Sequence, residues 1–212
     1  MIRAVLFDLD GTLNNTLSDI AFAMNRALRL HDLPEWPEDA YRYLVGNGAK
    51  KLAQRAARDR QDLWEDVFRD YQSYYQDHAL DRTQPYDGIP ELLQALREKD
   101  LKLCVFSNKP HADTCTVIRH FFPEDTFEDI RGQKEGVPVK PAPDGAFAAA
   151  EALGVRPEEF LYLGDTSVDM ECAKNAGMHP VGVLWGFREE QELRESGAEY
   201  IIAHPSELLQ LL

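Results

Sequence analysis

The sequence contains little cysteine, only three of 212 residues. Cys104, Cys115 and Cys172 are widely separated and form no CxxC pair, so they predict neither a disulfide framework nor a zinc site. The chain also lacks an apolar run of the roughly 18 residues that a membrane-spanning helix needs. Its first residues form a strand-like run broken by two aspartates, which is not the pattern of a signal peptide. These absences predict a cytoplasmic protein without a membrane partner.

Basic residues are also scarce. The chain has 23 lysines and arginines against 37 aspartates and glutamates, which gives a formal net charge of −14. Charge of this sign repels nucleic acid and anionic membranes, so we expect neither as a partner. An anionic small molecule is still compatible with this charge, because a bound metal ion can reverse the field at a site. We therefore expect any phosphate site in this protein to depend on a cation.

The sequence alternates apolar strand patterns with helical patterns. Five strands are predicted, at residues 4–7, 101–106, 160–163, 180–184 and 200–202. Continuous apolar runs of this length are typical of strands that are buried on both faces of a parallel sheet. Because helical patterns separate the runs, the sequence predicts an α/β fold with a doubly wound parallel sheet.

The stretch from residue 15 to residue 82 interrupts this alternation, because it contains helical spacing and no strand pattern. Apolar residues that share one helical face begin it, namely Leu17, Ile20, Met24 and Leu28. We therefore expect an α-helical cap domain at 15–82, inserted after the first strand of a core domain made of 1–14 and 83–212. Three tyrosines in this stretch, at 71, 74 and 75, have the spacing expected of cap core residues.

Polar side chains follow three of the predicted strands at their carboxyl ends. They are Asp8, Asp10 and Thr12 after the first strand, Ser107, Asn108 and Lys109 after the second, and Asp165 and Asp169 after the third. Lys140 lies in the loop before the helix that leads to the third strand. Ligands of open parallel sheets bind at this edge, so the sequence predicts a site there.

Three of these aspartates, Asp8, Asp10 and Asp165, would repel one another if placed together and therefore require a counter-charge. Two unit charges 4 Å apart repel by about 4 kcal/mol at an effective dielectric of 20, which a hard cation would offset. Mg²⁺ prefers such oxygen ligands, whereas no His or Cys stands at the spacing of a zinc site. One aspartate of the Asp8–Asp10 pair can then attack phosphorus while the other acts as acid and base.

Four segments resemble the motifs of the haloacid dehalogenase superfamily. DLDGTL from Asp8 is similar to the first motif, and Ser107 in VFSNKP is similar to the second. Lys140 in VKPAPDGAF is similar to the third, and GDTSVDM, with Asp165 and Asp169, is similar to the fourth. The resemblance covers essentially the whole chain, and its SNKP and KPAPD stretches are most similar to the phosphoglycolate phosphatase group. It implies a Rossmannoid core and a helical cap.

The resemblance also implies catalytic and metal-binding roles. Asp8 would be the nucleophile and a metal ligand, and Asp10 would be the acid and base, with its backbone carbonyl bound to Mg²⁺. Asp165 would be a direct metal ligand. Asp169 would support the site by orienting a metal-bound water or Lys140.

Four further residues are implied in phosphate binding. Ser107 and Lys140 would hold the transferring phosphoryl group, and Asn108 would help through its backbone amide. Thr12 would fix the Asp10 side chain beside that group. Asn15 departs from the superfamily pattern, which commonly has an acidic residue at this place near the cap junction.

We therefore expect a Mg²⁺-dependent phosphomonoester hydrolase that works through an aspartyl-phosphate on a small phosphorylated metabolite, with 2-phosphoglycolate as the leading candidate. One alternative is a phosphosugar mutase, or another metabolite phosphatase, on the same scaffold. A second alternative is a non-catalytic binding or regulatory module. The sequence is compatible with a monomer or a homodimer, and it does not name the cap side chains that set specificity.

Overall fold

The computed structural model describes all 212 residues. Its strands are β1 (Ala4–Phe7), β2 (Asn14–Asn15), β3 (Gln84–Pro85), β4 (Lys102–Pro110), β5 (Asp129–Gln133), β6 (Phe160–Gly164), β7 (His179–Val183) and β8 (Tyr200–Ile202). Its α-helices are α1 (Leu17–Leu30), α2 (Tyr41–Leu44), α3 (Ala49–Ala56), α4 (Trp64–His78), α5 (Ile89–Glu98), α6 (His111–Phe121), α7 (Asp144–Leu153), α8 (Ser167–Ala176) and α9 (Glu190–Glu195). Short 3₁₀ turns occur at Glu38–Ala40, Pro157–Glu159 and Pro205–Gln210. None of the helices combines the length and the apolar character needed to cross a membrane.

Six strands form one parallel sheet in the order β5-β4-β1-β6-β7-β8. Val5 and Phe7 of β1 belong to a hydrophobic cluster shared with α5 and α6, whereas Ala4 and Leu6 belong to a second cluster shared with α7 and α8. Successive side chains of a strand point to opposite faces of its sheet. Both faces of β1 are therefore covered by helices, which explains its continuous apolar run. The predicted α/β fold with a doubly wound parallel sheet is confirmed.

The sheet contains one strand that the sequence analysis did not predict. β5 has the sequence DIRGQ, pairs only with β4 and is mostly half-buried. Charged residues suit an edge strand, because they discourage pairing with other chains. The strand therefore carries no apolar run from which it could have been predicted.

The chain between β2 and β3 is helical, and α1 to α4 share a hydrophobic cluster of their own. β2 and β3 pair as a short antiparallel ribbon where the chain leaves the sheet and returns to it. Asp19 of α1 accepts hydrogen bonds from the backbone N–H groups of Arg82 at 3.0 Å and Thr83 at 2.9 Å. The beginning and the end of the helical insertion are thus held together. Its limits as a cap domain, 15 and 82, stay a prediction.

The carboxyl ends of β1, β4 and β6 meet where the strand order reverses, which is the place where ligands bind in such sheets. Near the end of β4, the register against β5 shifts between Phe106 and Pro110. Irregularities of this kind redirect side chains next to functional sites. Residues 107–109 lie within this irregular stretch.

Candidate active site

The carboxylates of Asp8, Asp165 and Asp169 converge at the ends of β1 and β6, so Asp169 takes the place that the sequence predicted for the carboxylate of Asp10. One oxygen of each lies within 4.8 Å of the other two, and all three residues are buried. Gly11 makes this approach possible, because its φ is +89° and a Cβ there would lie 2.2 Å from Oδ2 of Asp165. Any larger residue at this position would displace Asp165, so the turn after β1 requires glycine.

Asp165 is held by two donors from neighbouring loops. The Thr12 hydroxyl donates to Oδ1 at 3.3 Å, and the Phe187 backbone N–H donates to Oδ2 at 2.8 Å. The sequence analysis assigned Thr12 to the Asp10 side chain. In the structure the Thr12 hydroxyl contacts Asp165, and the Asp10 carboxylate is bonded by Lys109 instead.

Lys140 connects two of the three converging aspartates. Its Nζ donates to Asp8 Oδ1 at 2.8 Å, to Asp169 Oδ1 at 2.7 Å and to the Phe106 carbonyl at 3.1 Å. Oδ2 of Asp169 accepts from the hydroxyl of Thr166 at 2.7 Å and from its backbone N–H at 3.2 Å, which caps α8. Both oxygens of Asp169 are thus engaged within the protein. This arrangement suits a residue that orients Lys140.

The charges of this cluster favour a divalent cation. Burial raises the pKa of Asp8 to about 7; the Asp169 carboxylate adds to the rise and the Lys140 ammonium opposes it. Burial, with Asp169 and Asp8, also raises the pKa of Asp165 well above its usual range. When all are ionised, three carboxylates and one ammonium leave two negative charges unbalanced. The oxygen donors and this charge fit Mg²⁺.

The raised pKa of Asp8 predicts a pH-dependent stability in the absence of metal. The unfolded chain releases this proton near the ordinary value of 3.8, whereas the folded protein keeps it until about pH 7. The folded state therefore binds more protons across this window, and its stability falls as the pH rises through it. Unfolding midpoints measured in EDTA at pH 5 and pH 7.5 should fall less for Asp8→Asn than for the wild type. An equal fall of the midpoint in both proteins would contradict the raised pKa of Asp8.

A small cavity of about 50 Å³ lies next to this cluster, between the sheet and the helical insertion. Its lining from the sheet side consists of Asp8, Asp10, Ser107, Asn108, Lys109, Pro110, Asp113, Lys140 and Phe187. Its lining from the insertion consists of Ile20, Val45, Gly46, Gly48, Ala49, Leu52, Tyr71 and Tyr75. Five of the predicted site residues thus share the cavity wall, while Thr12, Asp165 and Asp169 lie outside it.

Asn108 connects the sheet side of the cavity to the insertion. Its side-chain amide donates to the carbonyls of Gly46 at 3.0 Å and Lys140 at 3.2 Å, and its Oδ1 accepts from the Lys140 backbone N–H at 2.8 Å. These bonds fix the loop that carries Lys140 next to the Gly46–Gly48 loop. The side chain of Asn108 therefore has a structural task besides the amide role that the sequence analysis gave it.

Lys109 and Tyr75 line the cavity, although the sequence had placed Lys109 at the sheet edge without a role and Tyr75 in the cap core. Lys109 follows Ser107 by two positions, and an i, i+2 pair on an extended segment faces one side, which was the available signal. Tyr75 stacks on Tyr71, with ring centroids 5.2 Å apart, and both belong to the insertion core as expected. The same two side chains also form part of the cavity wall.

Comparison with known proteins identifies similar sequences and folds. The sequence profile of the family described as Haloacid dehalogenase-like hydrolase matches residues 5–183. A phosphoglycolate phosphatase of Aquifex aeolicus is 32% identical over 100% of this chain and 97% of its own. An N-acetylmuramic acid 6-phosphate phosphatase of Pseudomonas aeruginosa is 32% identical over 100% of this chain and 95% of its own. A crystal structure from Lactobacillus delbrueckii subsp. bulgaricus, provisionally named a phosphoglycolate phosphatase, superposes with a TM-score of 0.92 at 29% identity, covering 99% of this chain and 97% of that one.

Proposed function

Since the chain belongs to the haloacid dehalogenase-like hydrolases and is a phosphatase, we propose that it hydrolyses 2-phosphoglycolate or a close relative through a phosphoryl group carried on Asp8. Its relatives support a phosphatase that acts on small phosphorylated metabolites. The prediction of an enzyme is confirmed, which sets aside the non-catalytic alternative. The substrate, the covalent step and the site residues below are our proposal.

The geometry of Asp8 is the observation that carries the proposal. Its Oδ1 is bonded to Lys140, whereas its Oδ2 makes no hydrogen bond and the residue lines the cavity. A carboxylate oxygen that is fixed by its partner and free towards a cavity can attack an incoming phosphorus. Ser107 and Lys140 on the same wall would hold the phosphoryl oxygens, together with the Asn108 amide.

Asp10 would act as the general acid in the first half-reaction and as the general base in the second. As the bond between phosphorus and the leaving oxygen breaks, Asp10 in its protonated form would donate its proton to that oxygen while Asp8 forms its bond to phosphorus. Asp10 would then take a proton from the water that hydrolyses the aspartyl-phosphate and restores Asp8. This assignment follows the acid and base role of a carboxylate at hydrogen-bonding distance from the reacting group.

Asp8, Asp165 and the backbone carbonyl of Asp10 would hold Mg²⁺, with Asp169 as the supporting residue. A bound Mg²⁺ supplies positive charge that offsets the repulsion between the carboxylates and the phosphate. Thr12 would serve this arrangement by its bond to Asp165.

Removal of divalent cations is expected to lower both activity and stability. Phosphate release in EDTA should fall at least about a hundredfold, because the cavity then repels a phosphate dianion. Mg²⁺ at 100 times its dissociation constant should stabilise the fold by about 2.7 kcal/mol. For a chain of this length, that is a rise of about 5 to 10 °C in the unfolding midpoint.

The matched variant for the metal experiment is Asp165→Asn, which keeps the shape of the side chain and removes one ligand charge. Its unfolding midpoint should respond to Mg²⁺ much less than that of the wild type. An equal rise in both proteins would place the ion elsewhere and would reject this site.

We propose that residues 15–82 act as a cap that shields the reacting groups from bulk water. The hydrogen bond between Asn108 and Gly46 supports this, as do the apolar side chains that the insertion contributes to the cavity. Between the substrates named for the relatives, we propose the short phosphoglycolate over a sugar phosphate. Phosphate release from 2-phosphoglycolate, N-acetylmuramic acid 6-phosphate and hexose phosphates tests this choice, and transfer of phosphate between sugar hydroxyls in place of release would favour the mutase alternative.

A further inference from the structure

Two ammonium groups line the cavity, and they differ in how many of their donors are free. An ammonium has three N–H donors. Lys140 uses all three, on Asp8, Asp169 and the Phe106 carbonyl. Lys109 is bonded to Asp10 alone, with Nζ at 2.8 Å from Oδ1 and 3.0 Å from Oδ2. At least one N–H of Lys109 is therefore available to a ligand.

The ammonium group of Lys109 is almost completely shielded from solvent. Its side chain is 3% exposed, and its Nζ lies 4.8 Å from the centroid of the Tyr75 ring. Burial is the largest single influence and opposes its charge, but Asp10, Tyr71 and Asp113 together outweigh burial and raise the pKa of Lys109. The group is thus charged at neutral pH, and with little water around it a second anionic partner would be strongly attracted.

The helical insertion offers no competing charge inside the cavity. Its lining residues are apolar side chains, tyrosines and glycines. On the sheet side, Asp113 is the one further acidic residue beyond Asp8 and Asp10. Burial raises the pKa of Asp113, although Lys109 opposes the rise. Lys109 is therefore the cavity group that can pair with a second negative charge on a substrate.

We propose that Lys109 is the specificity-determining residue for the leaving group and that it binds a carboxylate of the substrate. The substrate class is then a short phosphorylated hydroxy acid. This inference rests on the proposed phosphatase reaction at Asp8 and extends it. It also assigns recognition of the leaving group to β4, whereas the sequence analysis expected cap side chains to set specificity.

The test compares two substrates of similar size, 2-phosphoglycolate and 2-hydroxyethyl phosphate, which has an uncharged hydroxymethyl group in place of the carboxylate. The wild type should prefer the first by about 30- to 100-fold in kcat/KM, the range expected for one charge-assisted hydrogen bond in a dry site. Lys109→Met should remove that preference. Its kcat/KM should fall about 30- to 100-fold more on 2-phosphoglycolate than on 2-hydroxyethyl phosphate, mainly through KM, because any effect through Asp10 is common to both substrates.

Three further variants control this experiment. Lys109→Arg keeps the charge and should keep most of the preference for the carboxylate. Lys99→Met makes the same change at an exposed lysine and should behave as the wild type. If Lys109→Met fails to fold by circular dichroism, Lys109→Gln removes the charge but keeps a polar side chain and takes its place.

Two outcomes would overturn the inference. An equal loss on both substrates would mean that Lys109 acts on Asp10 or on the fold instead of on the leaving group. A wild-type preference below about threefold would reject carboxylate recognition without any variant, even if phosphate release is normal. Failure of the proposed function is a separate result, because neither substrate would then release phosphate in Mg²⁺.

Discussion

Asp8→Asn is expected to lower kcat/KM for phosphate release at least about a thousandfold, the size of loss expected for a nucleophile. The amide keeps the shape of the side chain but cannot form the bond to phosphorus that a carboxylate forms. The fold should survive, because the change removes a charge from a buried position next to Asp169. Steady-state kinetics, with unfolding midpoints measured in the same buffer, would establish both parts.

The control for this variant is Asp77→Asn, the same change at an exposed position of α4. It should leave the rate within about twofold of the wild type, as is usual for surface substitutions. Reduction of the phosphorylated wild type with borohydride should convert Asp8 to homoserine, which mass spectrometry detects. A rate above a tenth of the wild type for Asp8→Asn would reject the covalent mechanism.

Lys140→Met is expected to cost about 3 to 5 kcal/mol of unfolding free energy in the absence of metal, the usual effect of removing one partner of a buried ion pair. The Lys140 side chain is 2% exposed and bonds both Asp8 and Asp169, so its loss leaves two buried carboxylates without a counter-charge. Phosphate release should fall at least about a hundredfold, because the group that fixes the nucleophile is gone. Urea denaturation in EDTA measures the first effect.

A second substitution separates the charge effect from lost packing. Asp169→Asn in the Lys140→Met background should recover part of the stability, because the two residues are directly bonded and their effects are not additive. Lys134→Met, at an exposed lysine, is the matched control and should change the stability by less than about 0.5 kcal/mol. A loss below about 1 kcal/mol for Lys140→Met would contradict the buried ion pair.

The parts of the fold that were predictable are the strands in which consecutive residues are all buried. β1 and β6 are buried on both faces, so every residue must be apolar and the run is visible in the sequence. β5 has one neighbour and tolerates charge, so nothing distinguishes it from a loop. The ribbon of β2 and β3 is two residues long, too short for any periodicity.

The candidate site was predictable where residue type follows from the chemistry of the strand ends. Asp8 and Asp165 come directly after buried strands, and the structure brings their carboxylates together. The position of Lys109 at the sheet edge was predictable, but its burial was not, because a lysine at the end of a strand is usually solvated. It becomes a buried cation only when α4 places Tyr75 over it, and that packing is not visible in the sequence around residue 109.

Phe187 joins two parts of the molecule through different atoms. Its backbone N–H bonds Asp165, whereas its ring is buried in the core of the helical insertion. Arg42 of the insertion strengthens this link by donating to the carbonyls of Gly186 and Phe187, at 2.8 and 3.2 Å. A chimera that receives this insertion from a relative would therefore need the 185–188 loop of the same donor. Without it, the Phe187 ring would pack poorly, and its backbone N–H would move away from the Asp165 carboxylate that it bonds.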